Sequence, residues 1–202
     1  DQPGTVVPPL QKLMVTKNDQ DQGVRLEALR SISLIANRTA ERAKVENRPL
    51  LVEELVALPG LVDDVIGVSQ ESEPLFRQMG AFVLGLLPSP QSQQRLEVLL
   101  NDTDQNVKVN AALGLSRQDS IAGWPVYVEV LTEAKDHTNL KAGMDLVILK
   151  NILKAVGDLK THWPEDKTQE LIALVESISK DFPERRSRTD AAKTLQTLKA
   201  AE

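Results

Sequence analysis

Asn101 to Leu115 reads NDTDQNVKVNAALGL, and Asn18 to Ile32 reads NDQDQGVRLEALRSI. The two stretches align without a gap at an offset of 83 residues. Asn, Asp, Asp, Gln, Val, a basic residue, Ala and a large aliphatic recur at matching positions. Repetition at a fixed period marks stacked supersecondary units, because one such unit cannot bury its apolar face alone. Each copy has a polar turn able to cap a helix, followed by apolar residues at three- and four-residue steps.

Working outward, the chain has 202 residues with 41% hydrophobic content but only 3% aromatics, so its core must be Leu, Val, Ile and Ala. That suits helices packed on helices, since aromatic and β-branched residues mark strands. No sustained polar/apolar alternation appears, and the fold class expected is all-α. Repetition favours one elongated domain over two compact ones. A net charge of −5, with Lys and Arg scattered among the acids, argues against a nucleic-acid binder. The absence of Cys excludes disulfides, thiolate zinc sites and cysteine nucleophiles.

No stretch approaches the roughly 18 apolar residues of a membrane span. The chain opens at Asp1 without Met, which leaves room for a removed signal peptide, anchor or further domain. Residues 1–9, DQPGTVVPP, read as a linker-like tail, and residues 10–202 as a single repeat domain. That tail and the lack of Cys lean towards an extracytoplasmic setting, without choosing between cytoplasm and a bacterial envelope.

Taken in order, the spacing predicts a helix over 10–17 with Leu10, Leu13 and Met14 on one stripe. Asp21 would cap a helix over 22–37 whose buried stripe is Val24, Ala28, Ile32 and Ile35. The polar segment 38–48 reads as an insertion or a further helical turn. Pro49 can start a helix to Leu58, which Pro59-Gly60 must break before Leu61 to Val68 continues. Helices follow over 74–87, 91–100 and 106–117, then one carrying Ile121, Trp124, Val128 and Leu131. A long helix over 140–160 carries Leu146, Leu149, Leu153 and Val156. The last pair spans 164–179, with Leu171, Leu174, Val175 and Ile178 inward, and 183–200, with Ala191, Leu195 and Leu198 inward. Its charged outer face suits the terminal cap of a stack.

Val24-Arg25 before Ala28 and Val107-Lys108 before Ala111 follow the pattern D-x-x-V-R-x-x-A-x-x-x-L most closely, with degenerate copies at Phe76-Arg77 before Gly80, at Leu140-Lys141 and at Ser187-Arg188 before Ala191. This pattern resembles HEAT repeats, and VKVNAALGL looks closest to the short HEAT-like repeats of the phycobilisome-lyase type. The resemblance runs over essentially the whole chain, but the first step, from Val24 to Phe76, is longer than the family's regular spacing. It implies an armadillo-like, right-handed α–α superhelix of about five helical pairs, with second helices lining the concave side. It implies no activity. Ala28, Gly80 and Ala111 are expected where paired helices approach closely. The basic residue after each Val could pair with the acid of a neighbouring turn, forming a ladder along the stack.

The chemistry candidates are few. The Asn-Asp-x-Asp turns do not fit a calcium loop, because setting Gly23 sixth puts Leu29 at the twelfth position, where a Glu is needed. His137 and His162 lack a partner at zinc-site spacing, and the acids Glu165 and Asp166 near His162 suit a helix N-terminus. The run Glu184-Arg185-Arg186-Ser187-Arg188 reads as a solvated face, and Asn37-Arg38-Thr39 and Asn101-Asp102-Thr103 match a sequon too short to weigh. No phosphate loop or nucleophile elbow appears, so no catalytic residue, metal or cofactor is expected.

The strongest interaction signal is the helix from Leu75 to Leu87, apolar almost all round. Phe76 and Val83 align with the buried stripe. Leu75, Met79, Phe82 and Leu86 align with groove-facing positions, rimmed by Glu27 and Arg30 on one side and Asn110 and Arg117 on the other. The function expected is a non-enzymatic scaffold that docks a protein or peptide in this groove, with Met79 and Phe82 as anchors. The alternatives are an enzyme or enzyme subunit on a HEAT-like fold, of the bilin-lyase or DNA-glycosylase kind, and a structural segment of a larger envelope protein. The glycosylase reading wants exposed aromatics in a basic groove. Trp124, Tyr127 and Trp163 are instead expected on the convex side.

Overall fold

A computed structural model describes residues 3–16, 22–136 and 144–200. Among these residues the chain forms eleven α-helices and one short 3-10 turn, and no strand. It divides into two compact units, Asp1–Gly114 and Leu115–Glu202.

The first unit holds α1 (Pro3–Val15), α2 (Gln22–Val45), α3 (Leu50–Val56), α4 (Leu61–Val68), α5 (Pro74–Leu84), α6 (Pro90–Leu99) and most of α7 (Gln105–Ser116). α1 packs on α2 and α4 packs on α5, while α1 also lies against α4, α4 against α6, and α2 against α5. The unit is therefore a stack of helix pairs in two layers, α1, α4 and α6 in one, α2 and α5 in the other. The stop signals act as their chemistry demands. Gly60 takes a positive φ of 71° to turn the chain from α3 into α4. Ser89 caps α6 by accepting from the Ser92 N–H at 3.0 Å. The predicted cap Asp21 lies outside the described residues, but its counterpart Asp104 caps α7, its Oδ1 accepting from the Val107 N–H at 3.0 Å.

Three expectations need correction here. The linker-like tail is helical from Pro3, and of the expected stripe Met14 is buried, Leu10 half-buried and Leu13 exposed, while Val7, outside that stripe, is buried. Pro8 and Pro9 remove two backbone donors, but both sit on the exposed side, and burial of Val7 and Met14 a heptad apart holds the helix. Of the two readings of the polar segment after Asn37, the further helical turn is the one seen, as α2 continues to Val45 with Thr39 and Ala43 turned inward. The buried stripe of α2 is Arg25, Leu29, Ile32, Ala36, Thr39 and Ala43, with Ala28 beside it, and Val24 is 47% exposed.

A charged ladder takes Val24's expected place, in the form the sequence suggests but buried. The Arg25 Nε donates to the Met14 carbonyl at 2.9 Å, and its two terminal nitrogens fork onto the Glu71 carboxylate just ahead of α5. The guanidinium also lies 4.3 Å from the Phe76 ring centre. Arg77 repeats the device one pair on. Its Nε and Nη2 grip Asp102, ahead of α7, at 2.8 and 2.9 Å, and its Nη1 donates to the Glu71 and Ser72 carbonyls. Both arginines are the fourth residue of their helix, where a side chain leaning towards the N-terminus reaches back over the preceding turn. In the second unit Arg188, fourth in its helix, likewise donates to the Phe182 and Pro183 carbonyls.

Glycines and alanines fill the close approaches. A methyl built on Gly80 would stand 2.8 Å from the Ser69 Cβ, closer than side chains tolerate, and one on Gly114 3.1 Å from the Gly85 Cα, a tight contact that its neighbours would have to accommodate. Ala28 and Ala111 are buried.

The second unit holds the 3-10 turn Ile121–Gly123, α8 (Trp124–Lys135), α9 (Met144–Asp158), α10 (Glu165–Asp181) and α11 (Arg185–Lys199). α8 packs on α9 and α10 on α11, with α8 against α10 and α9 against α11. The buried stripe of α8 is Val126, Tyr127, Val130, Leu131 and Ala134, so the expected stripe keeps only Leu131. Pro125 sits exposed in the first turn, where its missing N–H costs no helical bond. Of the last two helices, Leu171, Val175, Ile178, Ala191 and Leu198 are buried as expected, while Leu174 and Leu195 are half-buried.

Candidate partner-binding face on α5

Three neighbours fix the faces of α5. Phe76 turns towards α2, under Arg25, and Gly80 is pressed on Ser69 at the end of α4. Gln78 turns towards α7, its Nε2 donating to Asp104 at 3.1 Å, while the Asn110 Nδ2 donates to the Gln78 carbonyl at 3.2 Å. Leu75, Met79 and Phe82, spaced i, i+4 and i+7, occupy the remaining side and form one stripe. Leu75 is 40% exposed, and Met79 and Phe82 are half-buried.

The rim is also laid out. Glu27 and Arg30 on α2 are exposed and stand 3.6 Å apart as an ion pair. Asn110 on α7 is half-buried and tied to Gln78. Leu86 departs from the expected groove set: it lies past the end of α5 and is 5% exposed, so it belongs to the core. Arg117 is exposed and belongs to the second unit. Leu34, one helical turn on from Arg30, is 50% exposed on the same face of α2. Sequence reasoning missed it, although it aligns with Leu86 in the repeat.

The other candidates have ordinary partners. His162, Glu165 and Asp166 are exposed, and among the described residues no three His, Cys, Asp or Glu side chains gather as metal ligands would. His137 lies outside the described residues. Glu184 caps α11, accepting from the Arg186 and Ser187 N–H groups and the Ser187 hydroxyl, and the Ser187 contacts hold its carboxyl below the usual range. Trp124 and Tyr127 both pack against Trp163, the first tilted and the second edge-on, with ring centres 5.6 and 6.0 Å from it. Tyr127 is fully buried, which raises its phenol pKa, and the Trp163 indole N–H is spent on the Val156 carbonyl at 3.0 Å. These rings are built into the core of the second unit. A cleft of about 830 Å³ beside Trp163, edged by Lys160, Glu165 and Gln169, opens in that unit.

No family model and no curated protein matches the chain. Solved structures do match. One, a crystal structure of an engineered protein, superposes with a TM-score of 0.61 at 18% identity, covering 96% of this chain and 80% of that one. At that identity the likeness bears on the fold alone, and it agrees with an all-helical chain.

Proposed function

We propose that the protein is a non-enzymatic scaffold that docks a protein or peptide on the outer face of α5. The observation that carries this reading is the run Leu75, Met79 and Phe82 at i, i+4 and i+7 on α5, exposed at Leu75 and half-buried at the other two. The exposed Glu27 and Arg30 on α2, and Gln78 and Asn110 tied to each other, would supply its polar rim. An apolar strip with a polar rim is the usual anatomy of a docking site, and Met adapts to varied partner surfaces. Anchors at i, i+4 and i+7 suit an amphipathic helix or an extended segment laid along the stripe. The HEAT-like reading of the repeat places these second helices on a concave side, which fits the same role.

Affinity capture with the wild type and with a Met79→Glu, Phe82→Glu double variant tests this, with circular dichroism alongside. The proposal expects a folded variant that loses a specific partner, and binding that weakens little with salt. Retention of every partner by a folded variant would refute it, and a steep salt dependence would point to nucleic acid instead.

A further inference from the structure

We infer that the exposed face of α11 is a docking surface for an acidic peptide segment of a partner protein. From Arg186 the residues Thr189, Lys193 and Gln196 follow at three- and four-residue steps, and with Arg185 beside the first of them they make one face. All five are exposed. The face carries three positive charges and no negative one. Arg188 is spent elsewhere, donating to the Phe182 and Pro183 carbonyls. Asp190 lies half-buried at the edge of the face and ion-pairs with none of the three cations.

Two features set these cations apart from an ordinary solvated face. Several exposed cations elsewhere in this acidic chain are neutralised on their own helix: Arg30 by Glu27, Arg42 by Glu46, Lys154 by Asp158 and Lys180 by Glu176. Arg185, Arg186 and Lys193 form no ion pair among the described residues. Arg185 and Arg186 also stand in the first turn, at the positive end of the helix dipole, where an acid is favoured and a cation costs stability. α10 follows that rule, with Glu165 and Asp166 in its first turn and Lys180 in its last, whereas α11 has no acid in its first turn. A local rule broken without a compensating contact inside the chain marks a place held for function. The free backbone donors at this end are already taken, since Glu184 accepts from the Arg186 and Ser187 N–H groups at 2.9 and 2.6 Å. An arriving anion is therefore left to the side chains. Arginine forks grip carboxylates through two parallel bonds, and Lys193 adds a point charge about 10.5 Å further along the axis from Arg186. The complement is a segment with carboxylates at both ends of that span, two helical turns or about three extended residues apart. The face has no exposed large hydrophobic residue to insert into a bilayer, and three cations alone hold weakly to an acidic membrane.

Fluorescence polarisation with the full chain tests this, using a labelled peptide of repeated Glu-Ala-Ala-Glu-Ala-Ala-Ala units at low and at physiological ionic strength. The wild type is expected to bind, and to bind more weakly at the higher salt. The variant Arg185→Ala, Arg186→Ala, Lys193→Ala should bind about tenfold or more weakly. A variant that loses the same charge elsewhere, Lys44→Ala, Lys150→Ala, Lys160→Ala, should stay within about threefold of the wild type. The α11 variant should also melt at or above the wild-type temperature, because it takes two cations off the positive end of a helix. Should it unfold instead, Lys193→Glu alone, in the exposed middle of the helix, is expected to show the same loss of binding. A wild type that does not bind overturns the proposal, as do equal losses in the two triple variants or unchanged binding by Lys193→Glu. Equal binding of a peptide with Gln in place of Glu overturns it too, as does a preference for phosphatidylserine vesicles over the peptide.

Discussion

Val24 on α2 and Phe76 on α5 hold the same place in the repeat, yet the first is 47% exposed and the second 1%. The difference is a neighbour. α2 lies against α5 and sets Arg25 over the Phe76 ring, whereas no described residue stands over Val24 in the same way. A repeat position thus encodes a helix and its cap, while its burial depends on whether another pair stands beside it. A like contrast runs along α5, where Phe76, Gly80 and Val83 are buried, Met79 and Phe82 half-buried, and Leu75 is 40% exposed.

The largest expected effect comes from breaking the link that covers Phe76. Glu71→Gln or Arg25→Ala leaves a buried charge without its partner and should cost about 3–5 kcal/mol in urea unfolding. Arg25→Met combined with Glu71→Leu should recover most of that loss, because an apolar pair in the same space strands no charge. Additive losses in the double variant would mean the pair is not the link described here.

Next in size are the close approaches. Gly80→Ala drives a methyl into Ser69, and Ala111→Leu overfills a fully buried site, so each should cost about 1–3 kcal/mol, seen as a clear fall in Tm. Gly23 at the open start of α2 gives the opposite case, with nothing within 4 Å of an added methyl. Gly23→Ala should stabilise by about 0.4–1 kcal/mol. A loss at Gly23 would mean that the start of α2 is more crowded than its exposed neighbour Val24 indicates.

The smallest effect is acid dependence. The Arg77 hydrogen bonds hold the Asp102 carboxyl below its ordinary value of 3.8. A folded-state pKa below the unfolded one gives stability that is present above the unfolded value and lost as pH falls through the folded one. The stability gap between wild type and Asp102→Asn should therefore be steady near neutral pH and narrow below about pH 4. A gap that holds constant down to about pH 3 would remove Asp102 from the account.

Much of this was legible in the sequence. The repeat gave the all-α class, the breaks at Pro59-Gly60 and around Pro88, the small residues at close contacts and the Arg-to-acid ladder. The face of α2 was not legible, because Val24 outranks Arg25 as a core residue until Glu71 and Phe76 are seen to receive the guanidinium. The reach of α2 beyond Asn37 was hidden in a polar run whose only inward residues are Thr39 and Ala43. The start of α1 was masked by Pro8 and Pro9. On α5 the periodicity marked Leu75, Met79 and Phe82 as outward, but it could not show that Leu86 falls past the helix end and folds under.

The claim that matters most is that α5 has one face for the core and one for a partner. Thermal unfolding of two variants tests it directly: Phe76→Ala, and the pair Met79→Glu with Phe82→Glu. The account predicts that Phe76→Ala loses about 3–5 kcal/mol while the double glutamate variant melts close to wild type. If the glutamate variant collapses as far as Phe76→Ala, the outer stripe is core and the docking face must lie elsewhere.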